Sequence, residues 1–264
     1  MLIGVSIPLG AADHPRITSH PPGGVISIDG RQDDWTGPLQ TVGKEPFSVD
    51  VANDDRFLYL RLVSSDPGVR RQILRLGLTV WFDEAGGTKK KLGIRYPVIE
   101  SGEMSGRGAS GGFGRGRHSG GDRPPDEESA ESAEPPDRVD ILGPGKDEAR
   151  SLTREHLQGV EVAVKSEQGS VLYELKVPLQ ATADHPYAIG SAPGKVVGVG
   201  FETPKLERPS VGRGAGGGFG GGRGGDRIGG MGGRGGMRGG EREFAPPKPL
   251  KAWVTVALSA GRDR

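Results

Sequence analysis

Apolar and polar positions alternate at a period of two through most of this chain. From Phe47 to Leu62 (FSVDVANDDRFLYLRL), Phe47, Val49 and Val51 fall on one face and Ser48, Asp50 and Ala52 on the other. Beyond Asn53-Asp54-Asp55, the residues Leu58, Leu60 and Leu62 alternate with Phe57, Tyr59 and Arg61. A period of two puts successive side chains on opposite faces, so both arms are strands. Asn and Asp tolerate left-handed backbone and bond nearby amides, which makes the connection a tight turn and the pair a hairpin. Upstream, Val25–Trp35 (VISIDGRQDDW) is a short apolar run that closes on an Asp-Gly turn and is followed by Trp35. Together the two segments mark the opening of an antiparallel β-sandwich.

The remaining elements follow from the same signals. Val69–Gly77 (VRRQILRLG) makes two helical turns that Gly77 ends. Leu78–Asp83 (LTVWFD) is a buried strand, and a turn at Gly86-Gly87 followed by Lys89, Lys90 and Lys91 leads to its hairpin partner, Leu92–Tyr96. Order resumes with RVDILG, and Ser151–Leu157 (SLTREHL) reads as a short helix with Ser151 as its N-cap. Val160–Val164 and Val171–Val177 form a second hairpin across KSEQGS. In Lys195–Glu202 (KVVGVGFE), Val197, Val199 and Phe201 share one face and Gly198 and Gly200 the other. Glycine in a strand interior marks close approach of a neighbouring backbone. Ala252–Leu258 supplies the last strand. The sum is an all-β fold, an antiparallel sandwich of about nine to eleven strands, immunoglobulin-like or jelly-roll-like, with little helix.

Composition changes this picture in one respect. Glycine at 48 and proline at 21 of 264 residues stand at the edge of low-complexity sequence. The glycine is concentrated, with eighteen of the thirty residues from Val211 to Gly240. The sequence predicts two disordered insertions, at 102–136 and 207–243, in a single domain spanning 23–260. Without them and the N-terminal tail, roughly 160 to 170 residues remain, enough for one domain with a sizeable core. Residues 1–22 read as a tail that begins with a signal remnant. MLIGVSIPLGAA is apolar and ends on small residues, but it lacks a positive n-region, so the expectation is a secreted or periplasmic chain with a longer true leader. No other stretch approaches the ~20 apolar residues of a membrane span.

Charge and cysteine count remove several function classes. A net charge of +1 argues against a globally basic nucleic-acid binder. The absence of cysteine removes disulfide scaffolds, thiolate metal sites and Cys nucleophiles. GxSxG, HExxH, the P-loop and a strand-borne dinucleotide fingerprint are all missing, so the chain is read as a binder and not an enzyme.

The ordered series IDGRQDDW, VANDDRFLYLRL, LTVWFD, VLYELKVPL, VGVGFE and KAWVTVAL resembles the family 9 carbohydrate-binding-module-like sandwich, which is related in architecture to DOMON-type domains. The resemblance covers the ordered chain from about Val25 to Leu258, with both glycine-rich segments as insertions. It implies a glycan or sugar ligand held by an aromatic surface and edge-on polar groups. In xylanase-associated members a sugar sits between two tryptophans, whereas this chain has only Trp35, Trp81 and Trp253.

Sugar recognition needs flat apolar rings against C–H faces and polar groups against hydroxyls. The candidate ligand-binding residues are Trp81, Trp253, Arg95, Tyr96 and Glu202. If Val80 and Phe82 face inward, Trp81 faces out. Trp35 is expected to plug the end of the core. Asp29, Asp33 and Asp34 lie in a loop and are candidate calcium ligands, although turn chemistry explains them equally. The five histidines are dispersed and offer no metal or haem site. Two other readings stay open: an assembly module that contacts a protein partner, and RNA or polyanion binding through Arg213, Arg223, Arg227, Arg234 and Arg238 with Phe219.

Overall fold

The apolar faces identified by alternation close on one another as two sheets. The computed structural model describes residues 14–99, 136–145, 148–205 and 248–260, and both glycine-rich insertions and the apolar N-terminus lie outside these. The strands are β1 (Arg16–Thr18), β2 (Gln40–Thr41), β3 (Ser48–Asn53), β4 (Phe57–Ser64), β5 (Leu78–Asp83), β6 (Leu92–Tyr96), β7 (Arg138–Leu142), β8 (Ala149–Thr153), β9 (Glu161–Glu167), β10 (Ser170–Pro178), β11 (Val196–Glu202) and β12 (Lys251–Ala257). A seven-stranded sheet has the order β1-β12-β11-β5-β6-β7-β8, and a five-stranded sheet the order β2-β3-β4-β10-β9. The fold is an all-β sandwich.

Val49, Val51, Leu58, Leu60 and Leu62 from one sheet meet Val80, Phe82, Ile94, Val199 and Phe201 from the other in a single core. Phe47 and Phe201 pack edge to face across the two layers, 5.3 Å between centroids. The β3–β4, β5–β6 and β9–β10 hairpins are antiparallel, as alternation predicts. Helix α1 (Pro67–Leu76) links β4 to β5. The Asp66 carboxylate accepts from the Val69 amide at 2.8 Å, and Gly77 ends the helix at φ +79°. A Cβ at Gly77 would lie 2.2 Å from the Pro97 carbonyl oxygen, so glycine is required there by space as well as by backbone angle.

One expectation is corrected, and the structure adds two details. Ser151–Leu157 is not a helix: residues 149–153 form the edge strand β8, followed by a single 3-10 turn at Arg154–His156. Its polar, largely exposed side chains give no period from which a strand could be read. The sheets are not wholly antiparallel, because β1 pairs with β12 in parallel. Short β1 and β2 also raise the strand count to twelve among the described residues, being too brief to show alternation.

The chain divides into two units, residues 1–204 with 249–264 and residues 205–248. In the first unit, the segment around the Asp-Gly turn forms no strand and instead crosses the outer face of the five-stranded sheet. Trp35 is buried there with Ile26, Ala52, Phe57 and Tyr59, in a small apolar cluster separate from the main core. Its indole Nε1–H donates to Glu174 Oε1 at 2.6 Å, and the Gly30 amide donates to Glu174 Oε2 at 2.6 Å. Beside it, Arg61 Nη2 stands 3.2 Å from Asp50 Oδ2 and donates to the Gly37 carbonyl at 2.8 Å. The turn and its tryptophan therefore anchor the N-terminal segment to buried charges on β3, β4 and β10.

Burial pushes the Glu174 carboxyl above the usual carboxylate range, against the opposing hydrogen bonds from Gly30 and Trp35. Between the ordinary value of about 4.3 and the raised one, the folded chain holds more protons than the unfolded chain, so stability falls as pH rises through that window. Glu174→Gln removes this dependence. In denaturant titrations the wild-type chain is expected to gain stability relative to the variant as pH drops from neutral toward 4.5. Parallel pH profiles for the two proteins would show that Glu174 titrates as an ordinary carboxyl.

Candidate functional site

The opposite surface, the outer face of the seven-stranded sheet, carries a different pattern. Because Val80 and Phe82 are fully buried, Trp81 points outward, and Trp253 does the same beside the buried Val254. Both indoles are partly exposed. Cross-strand register aligns Trp253 with Gly200, Gly200 with Trp81, and Trp81 with Gly93, so the four residues form one row across β12, β11, β5 and β6. Each indole leans onto the next glycine. A Cβ at Gly200 would lie 2.6 Å from Trp253 Cε2, and a Cβ at Gly93 would lie 2.6 Å from Trp81 Cζ3. With no side chain beneath them, both ring systems lie close against the sheet backbone.

The adjoining row is polar. Lys251 aligns with Glu202, Glu202 with Thr79, Thr79 with Arg95, Arg95 with Asp140, and Asp140 with Ser151. Arg95 forms an ion pair with Asp140, which also accepts from the Ser151 hydroxyl. Glu202 accepts from the Trp81 indole at 3.0 Å and pairs with Lys90, whose ammonium lies 5.0 Å from the Trp81 ring centroid. Glu202 thus fixes the indole's orientation and ties the aromatic row to the polar one.

The flank opposite the polar row is closed by the β5–β6 connection. A Cβ at Gly198 would lie 1.9 Å from the Gly87 carbonyl oxygen, so the turn folds directly over β11. Asp83 holds that turn by accepting from the amides of Ala85 at 3.2 Å and Lys89 at 2.8 Å. The close backbone approach expected at Gly198 is this contact, whereas Gly200 accommodates a tryptophan.

Of the candidate residues, Trp81, Trp253, Arg95 and Glu202 share this face. Tyr96 does not. Its side chain is 0% exposed and faces the core with Ile94 and Leu92, where burial raises its phenol above the ordinary value. Parity along LGIRY carried the signal, since residues 92, 94 and 96 lie on one side of a strand and residues 93 and 95 on the other. Register adds Gly93, Gly200, Thr79, Asp140 and Lys251, and the ion pair with Glu202 adds Lys90, none of which sequence reasoning placed in a site. Trp81 and Trp253 lie side by side on one sheet and do not face one another.

The three calcium candidates bond within their own loop. Asp29 Oδ1 accepts from the Arg31 amide at 2.9 Å, Asp34 Oδ2 accepts from the Ser27 amide at 3.1 Å, and Asp33 lies 3.5 Å from Arg31 Nε. These are turn bonds, and among the described residues no group of three or more His, Cys, Asp or Glu side chains is placed to hold a metal. A polar cleft of about 440 Å³ lies beside this loop, but its charges pair among themselves, Arg31 with Asp33 and Lys165 with Glu167. Among the described residues no helix is long and apolar enough to cross a membrane.

No family model matches the chain, and no curated protein matches it. Among solved structures, a family 9 carbohydrate-binding module from Caldicellulosiruptor kristjanssonii in complex with glucose is similar over 72% of this chain and 78% of its own, at 13% identity and a TM-score of 0.34. The likeness is a distant one, to a carbohydrate-binding-module-like fold.

Proposed function

We propose that the chain is a non-catalytic carbohydrate-binding module whose ligand lies on the outer face of the seven-stranded sheet. The observation that supports this reading is the register itself: an aromatic row, Trp253 and Trp81 over glycines, beside a polar row from Lys251 to Asp140. Pyranose rings present flat C–H faces and a rim of hydroxyls. An indole lying flat meets the first, and Lys251, Glu202 and Arg95 meet the second through donors and acceptors of both charges. The apolar residues 1–12 fit export to a compartment where such glycans occur.

A glycan array probed with the intact chain, with Trp81→Ala and with Trp253→Ala tests this. Each substitution is expected to weaken binding about tenfold, equivalent to ~1.4 kcal/mol, because one stacking surface is lost while the rest of the face remains. Unchanged retention by both variants would place the ligand elsewhere. Retention of no glycan by the intact chain would refute sugar binding and leave this face to a protein partner.

A further inference from the structure

Resting on that reading, the spacing of the two indoles specifies which part of a glycan the face takes. Trp253 covers β11 at Gly200 and Trp81 covers β6 at Gly93, with β5 between those two strands. The rings therefore sit two strand spacings apart, about 10 Å, along a line perpendicular to the strands. A single monosaccharide cannot touch both. Two rings lying side by side on one sheet also cannot clamp a sugar between them.

We infer that the face binds an internal stretch of an extended, ribbon-like glycan, one with equatorial linkages of the β-1,4 kind, lying across the strands. Such a chain advances by close to one strand spacing per sugar. Alternate residues then fall on Trp253 and Trp81, and the intervening residue bridges them over β5. Alternate sugars of a ribbon present the same face, so both indoles meet equivalent C–H surfaces. Hydroxyls along one edge of the ribbon run beside Lys251, Glu202 and Arg95. The β5–β6 turn over Gly198 bounds the other edge. Lys90, which lies over Trp81 in the free protein, yields that position to the sugar and turns its ammonium to the hydroxyls. Helically coiled α-linked chains curve away from a straight row and cannot engage both rings.

Calorimetric titration of the intact chain with cello- and xylo-oligosaccharides of two to six residues, borohydride-reduced cellohexaose and maltohexaose tests this. Affinity for at least one β-1,4 series is expected to rise tenfold or more between the disaccharide and the tetrasaccharide, then level off. Reduction of the chain end is expected to change cellohexaose affinity less than twofold, and maltohexaose is expected not to bind. Equal affinity for all lengths, or loss of binding on end reduction, would overturn the internal-stretch inference while leaving sugar binding intact. The same holds if neither β-1,4 series binds but another glycan on the array does. Failure of every glycan would overturn both. A concentration-dependent dimer in sedimentation that Trp81→Ala abolishes would assign the face to a second copy of this chain and overturn the inference as well.

Discussion

Asp50→Ala is expected to destabilise the fold by about 3–5 kcal/mol, the range for removing one partner of a buried ion pair. Asp50 is 0% exposed and lies between His20, bonded at 2.9 Å, and Arg61, at 3.2 Å. Without it the Arg61 guanidinium stays buried, stacked 5.2 Å from the Trp35 ring, with neutral oxygens of Gly37 and Gln32 as its remaining acceptors. Alanine also vacates the space that Gly37 leaves for His20 and Asp50, so the His20 ring loses its carboxylate partner while the backbone bonds of His20 to Val51 and Asn53 on β3 remain. Replacing both charged partners, Asp50→Leu with Arg61→Leu, should recover most of the loss, since the cost is the uncompensated charge and not the missing attraction. Guanidinium denaturation of the three proteins measures it. A single-variant cost below about 1 kcal/mol would mean that water reaches this site.

The second large effect concerns binding. Gly200→Val is expected to reduce glycan affinity about a hundredfold, ~2.7 kcal/mol, more than either Trp→Ala change. A tryptophan truncated to alanine leaves a flat floor, but a valine at 200 would put its Cβ 2.6 Å from the Trp253 ring and force the indole off the sheet. Its methyl groups would occupy the floor on which that indole lies. Stability should suffer less than binding, because a β-branched residue suits a strand and the indole it displaces is only partly buried. Gly93→Val should act in the same way through Trp81, which Glu202 would no longer hold in its present orientation. Full affinity in either variant, measured with unfolding transitions that match the wild type, would show that flat-lying indoles are not what the ligand requires.

Much of the fold is legible in the sequence because alternation is a local property. The β3–β4 hairpin, the outward turn of Trp81 and the glycine face of β11 all follow from residue parity over six to eight positions. What parity cannot supply is the partner of each strand. β5 pairs with β11, more than a hundred residues later in the chain, and only that pairing sets Trp81 beside Gly200 and hence beside Trp253. The glycine beneath each indole, and the polar row from Lys251 to Asp140, exist through register between distant strands and have no signature within any one of them. The reading of Tyr96 as a ligand contact failed for a different reason. Tyr96 shares the parity of Ile94, and adjacent residues of a strand face opposite ways, so it and Arg95 cannot both line one face. The role of Trp35 was legible in outline, yet its cluster lies on the outer side of a sheet and not between the two, because buried Glu174 gives its indole nitrogen a partner there.

The indole N–H resonances of the three tryptophans, followed by NMR as cellohexaose or the array's strongest glycan is added to the intact chain, test the central claim most directly. Trp81 and Trp253 are predicted to shift together along one binding isotherm while Trp35, bonded to Glu174 on the other sheet, stays in place. Saturation of the protein with the first two resonances unmoved, or with Trp35 alone displaced, would contradict the assignment of this face as the binding site.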